Sequence, residues 1–270
     1  MSLQNKTLAF IGGGNMAEAL IRGLLVNKLL QPRQIIVTDV RADRLEFLQQ
    51  SFNIRTSQDN AATVREADII VLAVKPQQMS AVLTGLRPTP AGLFISIAAG
   101  ITSARIEKEL GGAARVIRVM PNTPALVGAG AAALAKGQGA SLEDLQLAET
   151  ILKAVGITVR VEENLIDAVT ALSGSGPAYV FLAAEAMIKA GIEQGLAPDV
   201  ARKLTIHTVL GSALLLAQGN EEPAELRRKV TSPGGTTEAA VKVLADRKFV
   251  EMFSEAIAAA ARRSKELSGS

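Results

Sequence analysis

Residues Phe10-Ile11-Gly12-Gly13-Gly14-Asn15-Met16-Ala17 end an apolar run that begins at Thr7. They open a stretch in which Met16, Leu20, Ile21, Leu24 and Leu25 recur at helical spacing. Gly12, Gly14 and Ala17 thus fill the three small positions of a G-x-G-x-x-[GA] fingerprint, between a strand and a helix. There the first glycine permits a tight turn and the second lets the backbone approach a pyrophosphate. The third small residue lets helix and strand pack closely. The unpaired N–H groups at the helix start then favour the phosphates. A chain that opens this way is directed toward a dinucleotide-binding βαβ fold.

The pattern that follows agrees with that start. Strands are expected at Ile35–Thr38, Asp68–Val74, Leu93–Ala98, Arg115–Val119, Ala129–Ala135 and Ile157–Val161. Between them, Leu45 and Leu48 begin an amphipathic helix, Asp59 and Asn60 start another, and Thr102 or Ser103 caps one that stops at Gly111. Ser141-Leu142-Glu143-Asp144 opens a further helix with acids in its first turn, and Gly156 closes that segment after Lys153. Strands alternating with helices predict an N-terminal Rossmann-type, doubly wound and mainly parallel sheet, making the fold class α/β.

After about Glu163 no further strand is expected. Helices are predicted over Leu165–Leu172, Pro177–Gln194, Pro198–Gln218, Pro223–Val230, Thr236–Ala245 and Lys248–Leu267, with Pro177, Pro198 and Pro223 at first-turn positions. The chain therefore divides into a dinucleotide-binding domain, 1–162, and an all-helical C-terminal domain, 163–270. Pro177–Gln194 is apolar around most of its circumference, more than a small bundle buries alone, so self-association is expected through this half.

Composition narrows the chemistry. There is no cysteine and a single histidine, His207, so thiol nucleophiles are excluded and a Cys/His metal site cannot be built. His207 lies in a helical pattern and reads as a structural or interface residue. A chain this poor in catalytic side chains either takes its chemistry from a cofactor or does none. Its net charge is +3, and its lysines and arginines are scattered among acids, so no nucleic-acid partner is expected. Glu185 and Lys189 interrupt the apolar run around Ala178–Ala190, which argues against a membrane span. The opening Met1–Lys6 leads straight into a strand, leaving no expected secretion leader and making the cytoplasm the default.

The second strand ends at Thr38-Asp39-Val40-Arg41, with Arg44 beyond. An acid there favours NAD by bonding the ribose hydroxyls, whereas arginine accepts the phosphate of NADP. Both are present, and Asp39 lies further from Gly12 than the usual roughly twenty residues, so the residues leave the coenzyme open. Three more strand ends should line the same crevice: Ala73-Val74-Lys75-Pro76, Ile97-Ala98-Ala99-Gly100 and Val119-Met120-Pro121-Asn122-Thr123-Pro124. Lys75 reads equally as a substrate-directed charge or as a polar strand end. Further on, Val230-Thr231-Ser232-Pro233-Gly234-Gly235-Thr236-Thr237 precedes an amphipathic helix. It is either a compact anion receptor or a decorated helix–helix turn.

With these motifs in hand the chain resembles the pyrroline-5-carboxylate reductase family along essentially its full length. The resemblance is carried, in order, by Phe10–Ala17, Ala73–Pro76, Met120–Pro124, Leu172-Ser-Gly-Ser-Gly-Pro-Ala-Tyr179 and Val230–Thr237. Ala245 departs from the family's usual acid or amide, and Asp39 is awkward for strong NADPH preference. The resemblance implies that Gly12, Gly14, Asn15 and Met16 hold the pyrophosphate and that Asn60 approaches the adenosine ribose or its phosphate. Val74, Lys75 and Pro76 would border the cofactor, with Ala98, Ala99, Gly100 and Asn122 toward the nicotinamide. Ser232, Gly234, Gly235, Thr236 and Thr237 would bind the substrate. It further implies NADP(H), with NAD(H) open, and a homodimer through helical domains whose complete pocket uses two chains, commonly assembled into decamers.

The implied reaction moves hydride to the imine carbon of 1-pyrroline-5-carboxylate, giving L-proline, with Thr237 as the candidate for bonding the ring nitrogen. Positioning and electrostatic support would be the protein's main contribution. Two other readings stand beside this one. One is another imino- or keto-acid reductase, such as a 3-hydroxyacid dehydrogenase using Lys189. The other is a noncatalytic protein that senses NAD(P), which leaves Ser232–Thr237 unexplained.

Overall fold

The structure, a computed structural model, describes residues 3–88, 91–112 and 114–268. Met1 and Ser2, part of the expected leaderless start, lie outside the described residues. Two compact units are present. One comprises Met1–Ser175 with Ala260–Ser270, and the other Gly176–Ala259.

In the first unit the strands are β1 (Leu8–Ile11), β2 (Ile35–Thr38), β3 (Arg55–Ser57), β4 (Ile69–Leu72), β5 (Leu93–Ser96), β6 (Arg115–Met120), β7 (Gly130–Lys136) and β8 (Gly156–Arg160). They form one sheet in the order β3-β2-β1-β4-β5-β6-β7-β8. The helices are α1 (Asn15–Val26), α2 (Ala42–Phe52), α3 (Asn60–Arg65), α4 (Met79–Gly85), α5 (Ser103–Leu110), α6 (Leu142–Leu152) and α7 (Ile166–Val169). Near-continuous apolar runs such as Ile35-Ile36-Val37 and Ile69-Ile70-Val71-Leu72 are buried on both faces, as a helix-covered parallel sheet requires. Leu8, Phe10, Val37, Val71 and Ile95 pack on one face with Leu20, Leu24, Leu48 and Ile151 of α1, α2 and α6. Ile11, Ile70, Leu72 and Phe94 pack on the other with Val64, Leu83 and Ile106 of α3, α4 and α5. The sheet is thus doubly wound, and the strand order reverses between β1 and β4.

Two features depart from the expected pattern. β3 was not expected: Arg-Thr-Ser carries no apolar signal, yet it pairs with β2 at the sheet edge. β7 pairs antiparallel with β6, because the short Pro121–Ala129 connection cannot make the crossover a parallel partner needs. β8 returns parallel to β7 after α6.

The helix expected over Leu165–Leu172 is only one α-turn, α7, followed by a π-helical turn at Thr170–Gly174. Thr170 Oγ1 donates to the Ile166 carbonyl at 2.8 Å and Ser173 Oγ to that of Val169 at 3.1 Å, contacts that loosen an α ladder. The expected domain boundary at 162/163 follows the last strand. The compact units divide later, after Ser175, because Ile166 of α7 packs against Ala133 and Ala135 of β7.

The second unit is helical, with α8 (Gly176–Glu193), α9 (Pro198–Gln218), α10 (Pro223–Lys229), α11 (Thr236–Asp246) and the first part of α12 (Phe249–Ser268). α8 and α9 pack against each other, and Tyr179 meets Phe253 edge-on. No residue of α8 is buried, and Phe181 and Leu182 are 62% and 67% exposed. By length and composition alone, Glu163–Glu193 and Pro198–Gln218 are apolar enough to cross a membrane.

Candidate active site

The carboxyl ends of β1 and β4 meet at the point where the strand order reverses, the place where open α/β sheets take ligands. A cleft of about 800 Å³ opens there. It gathers Gly12, Gly14, Asp39, Arg41, Asn60, Val74 and Lys75 from the sequence-predicted set. Gly12 turns at φ +103°, and a Cβ there would sit 2.6 Å from the Ala73 carbonyl oxygen. Two loops therefore pass closer than any side chain allows. Over Gly14 the space is open, with nothing within 4 Å of a built Cβ, and no side chain caps α1. An uncapped helix start under open space fits the phosphates of a dinucleotide.

The middle glycine is fixed from two sides. Gly13 N–H donates to Asp39 Oδ2 at 2.9 Å, and its carbonyl accepts from Arg44 Nε at 2.5 Å. Asp39 Oδ1 accepts from the Arg41 backbone N–H at 3.0 Å. Arg44 also pairs with Glu18 at 2.6 Å, and Arg22 meets the same carboxylate at 2.8 Å. Burial would raise the Glu18 pKa, but the hydrogen bonds from Arg44 and Arg22 outweigh it and hold the carboxyl below its ordinary range. Arg44, placed with Arg41 at this strand end from the sequence, is 13% exposed and has its Nε on the Gly13 carbonyl and its Nη2 on Glu18. Arg41 remains 58% exposed, and Lys75 has no ion pair among the described residues.

Other predicted residues lie at neighbouring strand ends but outside this cleft's lining: Asn15 and Met16 in the first turn of α1, Pro76 beyond β4, and Ala98, Ala99 and Gly100 after β5. Asn122, after β6, has a structural side chain. Its Nδ2 donates to the Ser173 carbonyl at 3.1 Å, and its Oδ1 accepts from Ala131 N–H at 2.8 Å. Sequence reasoning missed Glu18, Gln77 and Gln78. The two glutamines line the cleft with no motif to announce them, whereas Glu18 follows the fingerprint directly and could have been found as an acid on the first turn of α1.

In the helical unit, Ser232–Gly235 form a turn ahead of α11, with Gly234 at φ +70° and Gly235 as an uncapped N-cap. The Gly235 N–H returns to the Ser232 carbonyl at 3.0 Å. The hydroxyls of Ser232, Thr236 and Thr237 have no partner among the described residues, so three donors surround an open helix start. Glu238, unremarked in the sequence, accepts the Gly234 N–H at 2.8 Å. His207 is exposed on α9, and Lys189 makes only a long surface pair with Glu193, at 3.9 Å. No group of metal-ligating side chains occurs among the described residues.

Comparison with known proteins supplies two family matches. One, described as pyrroline-5-carboxylate reductase dimerisation, covers residues 163–267. The other, described as NADP oxidoreductase coenzyme F420-dependent, covers residues 7–100. A pyrroline-5-carboxylate reductase of Synechocystis sp. is 46% identical, with 99% of each chain covered. Among solved structures, a pyrroline-5-carboxylate reductase from Coxiella burnetii superposes with a TM-score of 0.92 at 43% identity, over 97% of this chain and 98% of that one. The NADP-bound pyrroline carboxylate reductase of Plasmodium falciparum follows at 0.87 and 29% identity, over 98% of both chains.

Proposed function

The chain belongs to the pyrroline-5-carboxylate reductase family, and on that premise we propose how its residues divide the work. It is an oxidoreductase that reduces the imine carbon of 1-pyrroline-5-carboxylate to give L-proline, the last step of proline biosynthesis. NAD(P)H, when bound, would supply the hydride to the ring carbon, and the C=N π pair would pass to the protonated nitrogen to leave a secondary amine.

The observation that carries the reading is the uncapped start of α1 beneath a turn that no Cβ can enter. Gly12, Gly14, Asn15 and Met16 hold the pyrophosphate there through backbone N–H groups. Arg41 and Asn60 face the adenosine ribose or its phosphate, which favours NADP(H), with NAD(H) also accepted. Val74, Lys75 and Pro76 border the coenzyme. Ala98, Ala99 and Gly100 leave room at the nicotinamide end, and Asn122 fixes the shape of its own strand end.

Ser232, Gly234, Gly235, Thr236 and Thr237 form the substrate site: the two glycines shape the turn with their N–H groups engaged within it, and the carboxylate is bound by the hydroxyls and by the Thr236 and Thr237 N–H groups. Thr237 Oγ1 accepts a hydrogen bond from the iminium N–H, and can donate to the nitrogen lone pair that hydride addition creates. No buried acid or base is asked to turn over, because an iminium that arrives protonated needs orientation more than proton transfer. The exposed apolar helices of the second unit are covered by a second copy, making a homodimer. A cytoplasmic setting suits a biosynthetic enzyme of this kind.

The substrate assignment is tested with Thr237→Ala. Turnover of the imine should fall at least tenfold, the scale of a lost hydrogen bond to a charged group (about 1.5–3 kcal/mol). Affinity for NADPH, titrated without substrate, should stay near the wild-type value. An equal loss of both would remove Thr237 from the substrate site.

A further inference from the structure

Asp39 occupies the position where an acid ordinarily reads the coenzyme ribose, yet both of its oxygens are already engaged by the protein's own backbone. Oδ2 accepts the Gly13 N–H at 2.9 Å and Oδ1 the Arg41 N–H at 3.0 Å. The opposite face of the Gly13 peptide is held as firmly. Its carbonyl accepts from Arg44 Nε, and Arg44 is locked in turn by Glu18 at 2.6 Å and by the Phe47 ring, 5.0 Å from the guanidinium carbon to the ring centroid. Arg22, over the Phe52 ring, braces Glu18 from its other side at 2.8 Å. Gly13 is also packed against α2 and β2: a Cβ there would lie 2.9 Å from Leu48 and 3.3 Å from Val37.

We propose that Asp39 and Arg44 are positioning residues that clamp the Gly13 peptide by its N–H and its carbonyl, presetting the glycine loop for a pyrophosphate, and that Asp39 does not select the coenzyme. The inference rests on the reading of this cleft as the dinucleotide site. Its logic is geometric. A carbonyl held by Arg44 is turned to the α2 side, where it cannot oppose a phosphate, and the uncapped N–H groups of α1 are left facing the open space over Gly14. A rigid receptor loses less entropy on binding than one that must be ordered. With one backbone hydrogen bond on each oxygen, the Asp39 carboxylate is oriented by the loop and is not free to turn both oxygens toward a ribose diol. The cation at the strand end, Arg41, is 58% exposed and meets Asp39 Oδ1 only at a long 3.8 Å, and is then the group that senses an adenosine phosphate.

The test is to titrate NADPH and NADH, without substrate, into wild-type protein and the variants Asp39→Ala, Asp39→Asn and Arg44→Ala, with a melting curve for each. The clamp predicts that Asp39→Ala and Arg44→Ala weaken both coenzymes about tenfold or more, keeping their ratio within about threefold of wild type. Asp39→Asn, whose amide oxygen can still accept the Gly13 N–H, should recover most of the loss for both. A general loosening of the fold would not be repaired by that single atom exchange. The inference is overturned if Asp39→Asn or Asp39→Ala shifts the NADPH to NADH ratio beyond about threefold, or if Arg44→Ala binds both like wild type. Should Asp39→Ala fail to fold, the ratio in Asp39→Asn decides alone. Wild-type protein that binds neither coenzyme would defeat the reading of the cleft itself, whereas normal binding with a shifted ratio defeats only the clamp.

Discussion

Gly12 must be glycine for two independent reasons: its φ of +103° disfavours any L side chain, and a Cβ would strike the Ala73 carbonyl. Gly12→Ala should therefore lower the unfolding free energy by about 2 kcal/mol or more, the combined scale of such strain and contact, as read from the urea midpoint. Glu18 makes a pH prediction. Despite the burial that raises it, the hydrogen bonds from Arg44 and Arg22 hold its folded pKa below the unfolded value. A carboxyl depressed in this way adds stability that is fully present above the ordinary glutamate range and is lost as pH falls through the folded value. Glu18→Gln should cost stability at neutral pH and progressively less on acidification, so unfolding curves of the two proteins converge below that range. Parallel curves down to the acid limb would contradict the pairing. At this scale much was legible: Gly12 and Gly14 were found from the fingerprint and Asn60 from the family resemblance, and they line one cleft. Arg44 was not, because a charge beside a strand end reads the same whether it faces a ligand or a backbone carbonyl.

Elements that carry strong local signals were readable to within a residue or two. Asp59, Thr102 and Ser141 each accept a backbone N–H at a helix start, from Ala62, Arg105 and Asp144 respectively. Ser141→Ala should cost about 1 kcal/mol, measurable by chemical denaturation, since Ser141 and Asp144 satisfy each other's backbone in a capping box. β3 escaped notice because an edge strand of Arg-Thr-Ser is held by backbone pairing and polar side-chain contacts such as Arg55–Glu66, with no buried apolar face for a periodicity to report. The π turn at Thr170–Gly174 was hidden for another reason. It depends on a distant residue, Asn122, whose amide takes the Ser173 carbonyl, and on Gly174, where a Cβ would meet Met120 at 2.5 Å. No local pattern carries such a contact. The reversed strand β7 lay between the two cases, because the brevity of the connection was visible but its consequence was not drawn from it.

At the scale of the whole molecule, the helical unit leaves Leu182, Leu215 and many other apolar side chains exposed in a single chain. Patches of that extent mark an interface, and a homodimer is the partner the dimerisation match supports. Sedimentation should give a mass at least twice the chain's 28.2 kDa, and Leu182→Glu with Leu215→Glu should lower it. A monomer at micromolar concentration would contradict self-association. The self-associating half was legible from its all-round apolar helices. The turn at Ser232–Thr237, proposed as the substrate site, was not assignable from spacing alone, since glycines and hydroxyls before a helix serve turns as readily as anions, and the family resemblance gave it that expected role. Purified protein should oxidise NADPH, and more slowly NADH, in a saturable manner when 1-pyrroline-5-carboxylate is added, with proline appearing in equal amount. Protein that binds the coenzymes yet oxidises neither with this imine would contradict the account.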